Sequence, residues 1–158
     1  WTGSSFSEGT GFSNSTAGIF AYCTALTSVS APELQTLPSQ MLYYCQALEE
    51  AVFPKVSTVN SGVFNYCTNL TKIDLGGAIT RLSSAFMAYA NKVTALILRG
   101  VTTVPTLGST TFNNTAIKSG NCYVYVPKEL EATFKVASNW STYASQIRAI
   151  EDYPEICG

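Results

Sequence analysis

Apolar and polar residues alternate with period two in four short stretches of this chain. Val29 and Ala31, Ala51 and Phe53, Ile73 and Leu75, and Leu96 and Leu98 point one way. Ser28 and Ser30, Glu50 and Val52, Lys72 and Asp74, and Ala95 and Ile97 point the other way. Such alternation over four residues predicts short strands with one face buried. A weaker apolar pair follows each stretch (Leu34/Leu37, Val56/Val59, Ile79/Leu82, Val101/Val104) and predicts a second, shorter strand. Between these units stands an aromatic-x-x-Cys segment: Phe20-Ala21-Tyr22-Cys23, Leu42-Tyr43-Tyr44-Cys45 and Phe64-Asn65-Tyr66-Cys67, 22 residues apart. A fourth copy at Phe86 has one inserted residue and Ala90 in place of Cys, and Phe112-Asn113-Asn114-Thr115 begins a truncated fifth.

A unit this short cannot bury its apolar face alone, so like positions must stack into columns through a continuous core. The expected columns are Phe20/Leu42/Phe64/Phe86, Leu26/Leu48/Leu70/Val93, Val29/Ala51/Ile73/Leu96 and Ala31/Phe53/Leu75/Leu98. The predicted fold class is an α/β repeat solenoid of about 22-residue units, each with short strands and one helical turn, closed by a C-terminal helical cap. Residues 1–18 read as an irregular N-terminal segment or partial repeat, 19–118 as the repeats and 119–158 as the capping segment. In the cap, Tyr123–Val126 reads as a strand ended by Pro127. Leu130, Phe134 and Ala137 give a helix one apolar stripe, and Ser141 is placed to cap a second short helix carrying Tyr143 and Ile147.

Composition narrows the function. There is no His among the 158 residues, which removes Ser/His/Asp and Cys/His nucleophile pairs and the commonest zinc ligand sets. A net charge of -1 supplies no bulk field for nucleic acid. The seven bases between Lys55 and Lys128 occupy different repeat positions and predict no single basic stripe. No apolar run approaches the roughly 18 residues of a membrane span. The expectation is therefore no nucleic-acid partner, no membrane insertion, no metal and no cofactor. The Gly/Ser/Thr-rich opening, Trp1–Gly18, looks like the start of an excised piece, so a signal or anchor is expected outside it.

Cys23, Cys45 and Cys67 form a column pointing inward, neighbours about 5 Å apart. Three thiols facing one way read as buried small hydrophobes; Cys122 and Cys157 lie together in the cap region, where pairing stays open. One residue before each Cys position, Tyr22, Tyr44, Tyr66 and Tyr89 form a second column expected to face outward. Tyr44, Tyr66 and Tyr89 are candidate binding residues, because a large rigid ring with a hydroxyl costs little conformational entropy to immobilise. The outward strand positions Val52, Lys72, Asp74 and Ile97 are the second candidate surface, two of them apolar without a packing reason. Glu50 with Lys72, and Lys72 with Asp74, read as exposed ion pairs; a catalytic acid/base role would need a pocket the sequence does not supply.

The aromatic-x-x-Cys-x-x-Leu segment followed by a short strand resembles the bacterial leucine-rich repeats of the BspA type, over roughly residues 19–150. The tail Tyr123-Val124-Tyr125-Val126-Pro127 through Asn139-Trp140-Ser141-Thr142-Tyr143 to Ile150 resembles the closing segment of such proteins. The resemblance implies a secreted or cell-surface repeat protein, some of whose relatives are adhesins for host matrix proteins or other bacteria, and it implies no catalytic residue. The functional expectation is a non-enzymatic module for an extracellular protein or glycan. The alternatives are a polysaccharide-active enzyme on a parallel β-helix, for which an aromatic-x-x-Cys turn has no use, and a structural spacer of a larger surface protein.

Overall fold

A computed structural model describes residues 18–158; the expected irregular segment 1–18 therefore lies outside the described residues except for Gly18. The strands are β1 (Ser28–Ser30), β2 (Thr36–Leu37), β3 (Glu50–Phe53), β4 (Thr58–Val59), β5 (Lys72–Leu75), β6 (Arg81–Leu82), β7 (Ala95–Leu98), β8 (Thr106–Leu107), β9 (Tyr123–Val126) and β10 (Ile147–Ala149). Six of them form one parallel sheet in the order β1-β3-β5-β7-β9-β10. The register follows the repeat: Ser28, Glu50, Lys72, Ala95 and Tyr123 form one row. Ser30, Val52, Asp74, Ile97, Tyr125 and Arg148 form the next row on the same face. The second strands pair separately, β2 with β4 and β6 with β8.

The sheet's inner face meets the apolar columns. Leu48, Leu70, Val93, Ala51, Ile73, Leu96, Phe53, Leu75 and Leu98 are all buried in one core, and Phe20, Leu26 and Val29 pack on it partly buried, at the first described coil. Phe64 and Phe86 stand edge to face with centroids 5.3 Å apart, but the expected column shifts by one residue in the fourth coil: Ala90 N–H bonds Met87 O as Cys67 N–H bonds Phe64 O, so Met87 takes the Phe64 position and Phe86 that of Val63.

The corner that carries the aromatic-x-x-Cys segment closes by i→i−3 hydrogen bonds, Cys45 N–H to Leu42 O and Cys67 N–H to Phe64 O, each 3.2 Å. The remaining donors reach the next coil: Tyr44 N–H bonds Asn65 O at 2.9 Å and Tyr66 N–H bonds Ala88 O at 2.9 Å. The expected helical turn is thus a single turn that leaves the right-handed region at Tyr, with φ of 62° at Tyr22, 63° at Tyr44, 62° at Tyr66 and 61° at Tyr89. The backbone groups a longer helix would use on itself serve instead to bind coil to coil.

Two expectations shift at the C-terminal end. The second strand of the fourth coil is β8, with Leu107 opposite Leu82, rather than Val101/Val104. The stretch before it inserts residues, and the register resumes only beyond them. In the cap, α1 (Lys128–Val136) follows Pro127 and buries Phe134 against Trp140, centroids 4.9 Å apart. Trp140 is fully buried and donates from its indole N–H to Pro105 O at 2.7 Å, which ties the cap to the last coil. Ser141 begins a 3-10 segment, Ser141–Gln146, without a side-chain cap, and Ile147 lies in β10 instead of a helix. Strand β10 pairs with β9 and extends the sheet by one strand, so edge pairing as well as the helix closes this end.

Candidate functional site

The tyrosine column is a ladder of rings. Tyr22 and Tyr44 lie 5.3 Å apart between centroids, Tyr44 and Tyr66 5.7 Å, and Tyr66 and Tyr89 4.4 Å with planes only 4° from parallel. Tyr22 and Tyr89, at the two ends, are exposed, while Tyr44 and Tyr66 between them are half-buried against their neighbours. Tyr43, which the repeat pattern does not single out, flanks the ladder edge-on, 5.3 Å from Tyr22 and 5.9 Å from Tyr66. Its hydroxyl is pushed above the usual tyrosine range, first by loss of solvent and then by the neighbouring phenols. The doublet Tyr43-Tyr44, absent from the other copies, was the available sequence signal.

Every ladder tyrosine holds a left-handed backbone, which costs a residue with a Cβ about 1–2 kcal/mol. Gly or Asn would cost less there. The fifth coil has Asn at the equivalent position, Asn114, with φ 49°. Four tyrosines therefore occupy a site that backbone preference alone would give to another residue.

The strand-face candidates divide. Val52 and Lys72 are half-buried and lie beside open positions, Ser30 and Glu50. Asp74 and Ile97 are not at the surface, contrary to the alternation. Ile97 is 0% exposed and Asp74 6%. Both do point out of the sheet, but the chain's own last residues cover them. Ile97, Ala95, Tyr125 and Cys157 form a second apolar cluster, closed by Ile150, Tyr153 and Ile156. Asp74 pairs with Arg99 rather than Lys72: Arg99 Nε and Nη2 donate to its two carboxylate oxygens at 2.8–3.1 Å, and Arg99 also donates to the Cys157 carbonyl. Arg99 is the residue here that the sequence reading missed.

The thiols are free in the described residues. Cys45 Sγ donates to Phe20 O at 3.0 Å and Cys67 Sγ to Leu42 O at 3.1 Å, so each satisfies a carbonyl of the preceding coil. Burial pushes Cys45 up to about 11 and Cys67 up to about 12. Cys23 differs from the expected column: it is exposed, at the first described coil. Cys122 belongs to the main core and Cys157 to the cluster on the other face of the sheet, which keeps the two apart.

Parallel strands in register, a leucine column and a Cys-bearing corner every 22 residues meet an independent match: residues 13–140 fit a family model described as BspA type leucine rich repeat region, in six copies. The chain belongs to the BspA-type leucine-rich repeat family. No curated protein matches it. Among the described residues of this BspA-type repeat chain, no helix is long and apolar enough to cross a membrane. No group of three or more His, Cys, Asp and Glu among those residues comes together as a metal site either.

Proposed function

We propose that this BspA-type repeat region is a non-enzymatic recognition module of a secreted or cell-surface protein, and that its tyrosine ladder engages an extracellular protein partner. The single observation that carries this reading is the left-handed tyrosine repeated four times. An unfavourable backbone state retained at successive coils needs a compensating use of the side chain. Ring stacking offsets part of the cost, about 0.5–1.5 kcal/mol per pair. The exposed edges and hydroxyls remain, and they have the chemistry of surfaces rich in Tyr with adaptable polar neighbours. Along the chain, Thr24, Gln46 and Thr68 follow ladder tyrosines by two residues, and Asn69 follows Thr68. A row of equivalent contacts at coil spacing suits an extended partner, on which several weak contacts add. The strand face supports binding less well, because the chain's own tail covers its Ile97 half.

The test is binding to an array of purified matrix and bacterial-surface proteins, run beside a glycan array and turnover assays on polysaccharides. Tyr44→Asn and Tyr66→Asn are the informative variants, since Asn accepts the left-handed backbone and keeps the corner, as Asn114 does. The reading expects saturable protein binding by the wild type that falls about tenfold or more in both variants. Binding unchanged in both, selective binding to glycans alone, or polysaccharide turnover would each overturn it.

A further inference from the structure

A cavity of about 370 Å³ opens between the fifth corner and the cap, away from the strand face, and no residue of it belongs to the ladder. This is within the size range of small-ligand sites, roughly 300–1,000 Å³. Its lining is polar and hydroxyl-rich: Thr110, Asn113, Lys118, Asn139 and Thr142, with Tyr143 as an aromatic wall. There is one cation among the lining residues and no carboxylate.

Three features pre-form it. Lys118 Nζ is held by Asn113 Oδ1 at 2.9 Å and enters no ion pair among the described residues, so its charge stays available beside the cavity. Tyr143 is fixed edge to face on buried Phe112, centroids 5.4 Å apart, which sets the orientation of its ring. Thr110 keeps φ at 65° and Asn139 at 68°. For β-branched Thr110 this is an outlier, at a position where the third coil has Gly62. The side chains of Thr110, Asn139 and Thr142 make no hydrogen bond among the described residues, although all three line the cavity.

We infer that this cavity binds a sugar residue carrying a carboxylate. A pyranose presents hydroxyls to Thr and Asn side chains and one C–H face to an aromatic ring. A carboxylate on it meets the lysine in a charge-assisted hydrogen bond, which a neutral sugar lacks. With no acid in the lining, nothing there repels that carboxylate. The same chemistry is offered by a uronic acid within a polysaccharide and by a sialic acid at the end of a host glycan. The site does not rest on the ladder reading, since the two surfaces share no residue.

The experiment is ligand-observed NMR and calorimetry with the methyl glycosides of glucuronic acid, N-acetylneuraminic acid and glucose, and with acetate alone. The wild type, Lys118→Met, Asn139→Gly and Tyr66→Asn are compared, with thermal melts to verify folding. Lys118 and Asn139 are exposed, and glycine accepts the backbone of residue 139 without strain. The expected result is saturable binding of at least one acidic glycoside, about tenfold tighter than the glucoside. Lys118→Met should reduce it to the glucoside's level, Asn139→Gly should weaken it and Tyr66→Asn should leave it unchanged. Which acidic glycoside binds identifies the source. Absence of saturable binding, equal binding of glucoside or acetate, or indifference to Lys118→Met would overturn the inference.

Discussion

Tyr66 and Tyr89 stack face to face, centroids 4.4 Å apart and planes 4° from parallel, while each holds a left-handed backbone. The two facts oppose one another energetically. Stacking recovers about 0.5–1.5 kcal/mol for a pair, and each left-handed tyrosine gives up about 1–2 kcal/mol. The ladder is therefore no net stabiliser of the corner, and its removal should be nearly neutral for the fold.

A double-mutant cycle tests that balance. Tyr66→Asn and Tyr89→Asn should each change stability by less than about 1 kcal/mol, because lost stacking and relieved strain cancel. The coupling between them should be about 0.5–1.5 kcal/mol, the pair's stacking alone. Denaturant melts of the four proteins measure it; a coupling of zero would mean the rings stack without interacting.

The ladder also shifts one of its phenols. The Tyr66 hydroxyl is pushed above the usual tyrosine range by loss of solvent, then by the Tyr89 phenol and its hydrogen bond. In Tyr89→Phe the hydroxyl partner is gone, so Tyr66 should ionise at a lower pH than in the wild type. Absorbance titration of tyrosinate, differenced against a Tyr66→Phe background, shows the shift.

At the strand face, Arg99→Met leaves the Asp74 carboxylate covered and without its bidentate partner. A fully buried pair broken in this way costs about 3–5 kcal/mol. Here the arginine side chain is 35% exposed, so about 2 kcal/mol is expected. Ile97→Ala should cost about 2–4 kcal/mol through the cavity left under the tail. An outward residue on an open sheet would cost almost nothing, so the melt of Ile97→Ala distinguishes a covered face from an open one.

These two residues also show where the sequence is legible and where it is not. Period-two alternation assigned the strand register column by column, and it put Ile97 on the outer face, where its backbone does point. Alternation reports which side of a sheet a residue takes, not what later returns to cover that side. Two signals were present. Ala95–Leu98 and Tyr123–Val126 are apolar on both faces, as strands buried from both sides are. Ile150, Tyr153 and Ile156 recur three apart in the tail. The left-handed tyrosines were legible only through Asn114, the one ladder residue whose type favours that backbone. The cavity beside Lys118 was not legible, because it forms where the fifth corner meets the cap, and the cap does not repeat.

The thiols give a pH dependence with a definite sign. Cys45 is pushed up to about 11, and Cys67 and Cys122 up to about 12, from 9.0, all chiefly by burial. Their folded pKa values lie above the unfolded one, so the unfolded chain releases these protons first. This contribution is fully present below about pH 9 and is lost as pH rises through about 11–12. Stability measured from pH 8 to 11 should fall less steeply in Cys67→Ala than in the wild type. In the native state at pH 8, a thiol reagent should modify exposed Cys23 fast and Cys45, Cys67 and Cys122 only after unfolding. Equal rates for Cys23 and Cys67 would contradict the burial.

The tightest constraint on stacking lies at the corner after each long strand, where the coils touch through their backbones. A Cβ added to Gly76 would meet Pro54 O at 2.1 Å, and one added to Gly100 would meet Gly76 O at 2.0 Å. Neither glycine has a positive φ; what each supplies is room for the backbone of the preceding coil. Gly76→Ala and Gly100→Ala must therefore push two coils apart, and the clash falls on backbone, which cannot rotate away as a side chain would. Gly62 is the internal contrast: its φ is 68°, but the nearest obstacle is the flexible Gln40 side chain at 3.2 Å. The equivalent positions in other coils, Gln40, Ala85 and Thr110, bear side chains in the same left-handed state. Gly62→Ala should cost only about 1–2 kcal/mol, the left-handed backbone penalty alone. Gly76→Ala should cost about 3 kcal/mol or more, with overpacking added across an interface that repeats cannot lose singly. Equilibrium unfolding of the three variants measures the difference, and a Gly76→Ala protein as stable as Gly62→Ala would mean that the coils are not in backbone contact at this corner.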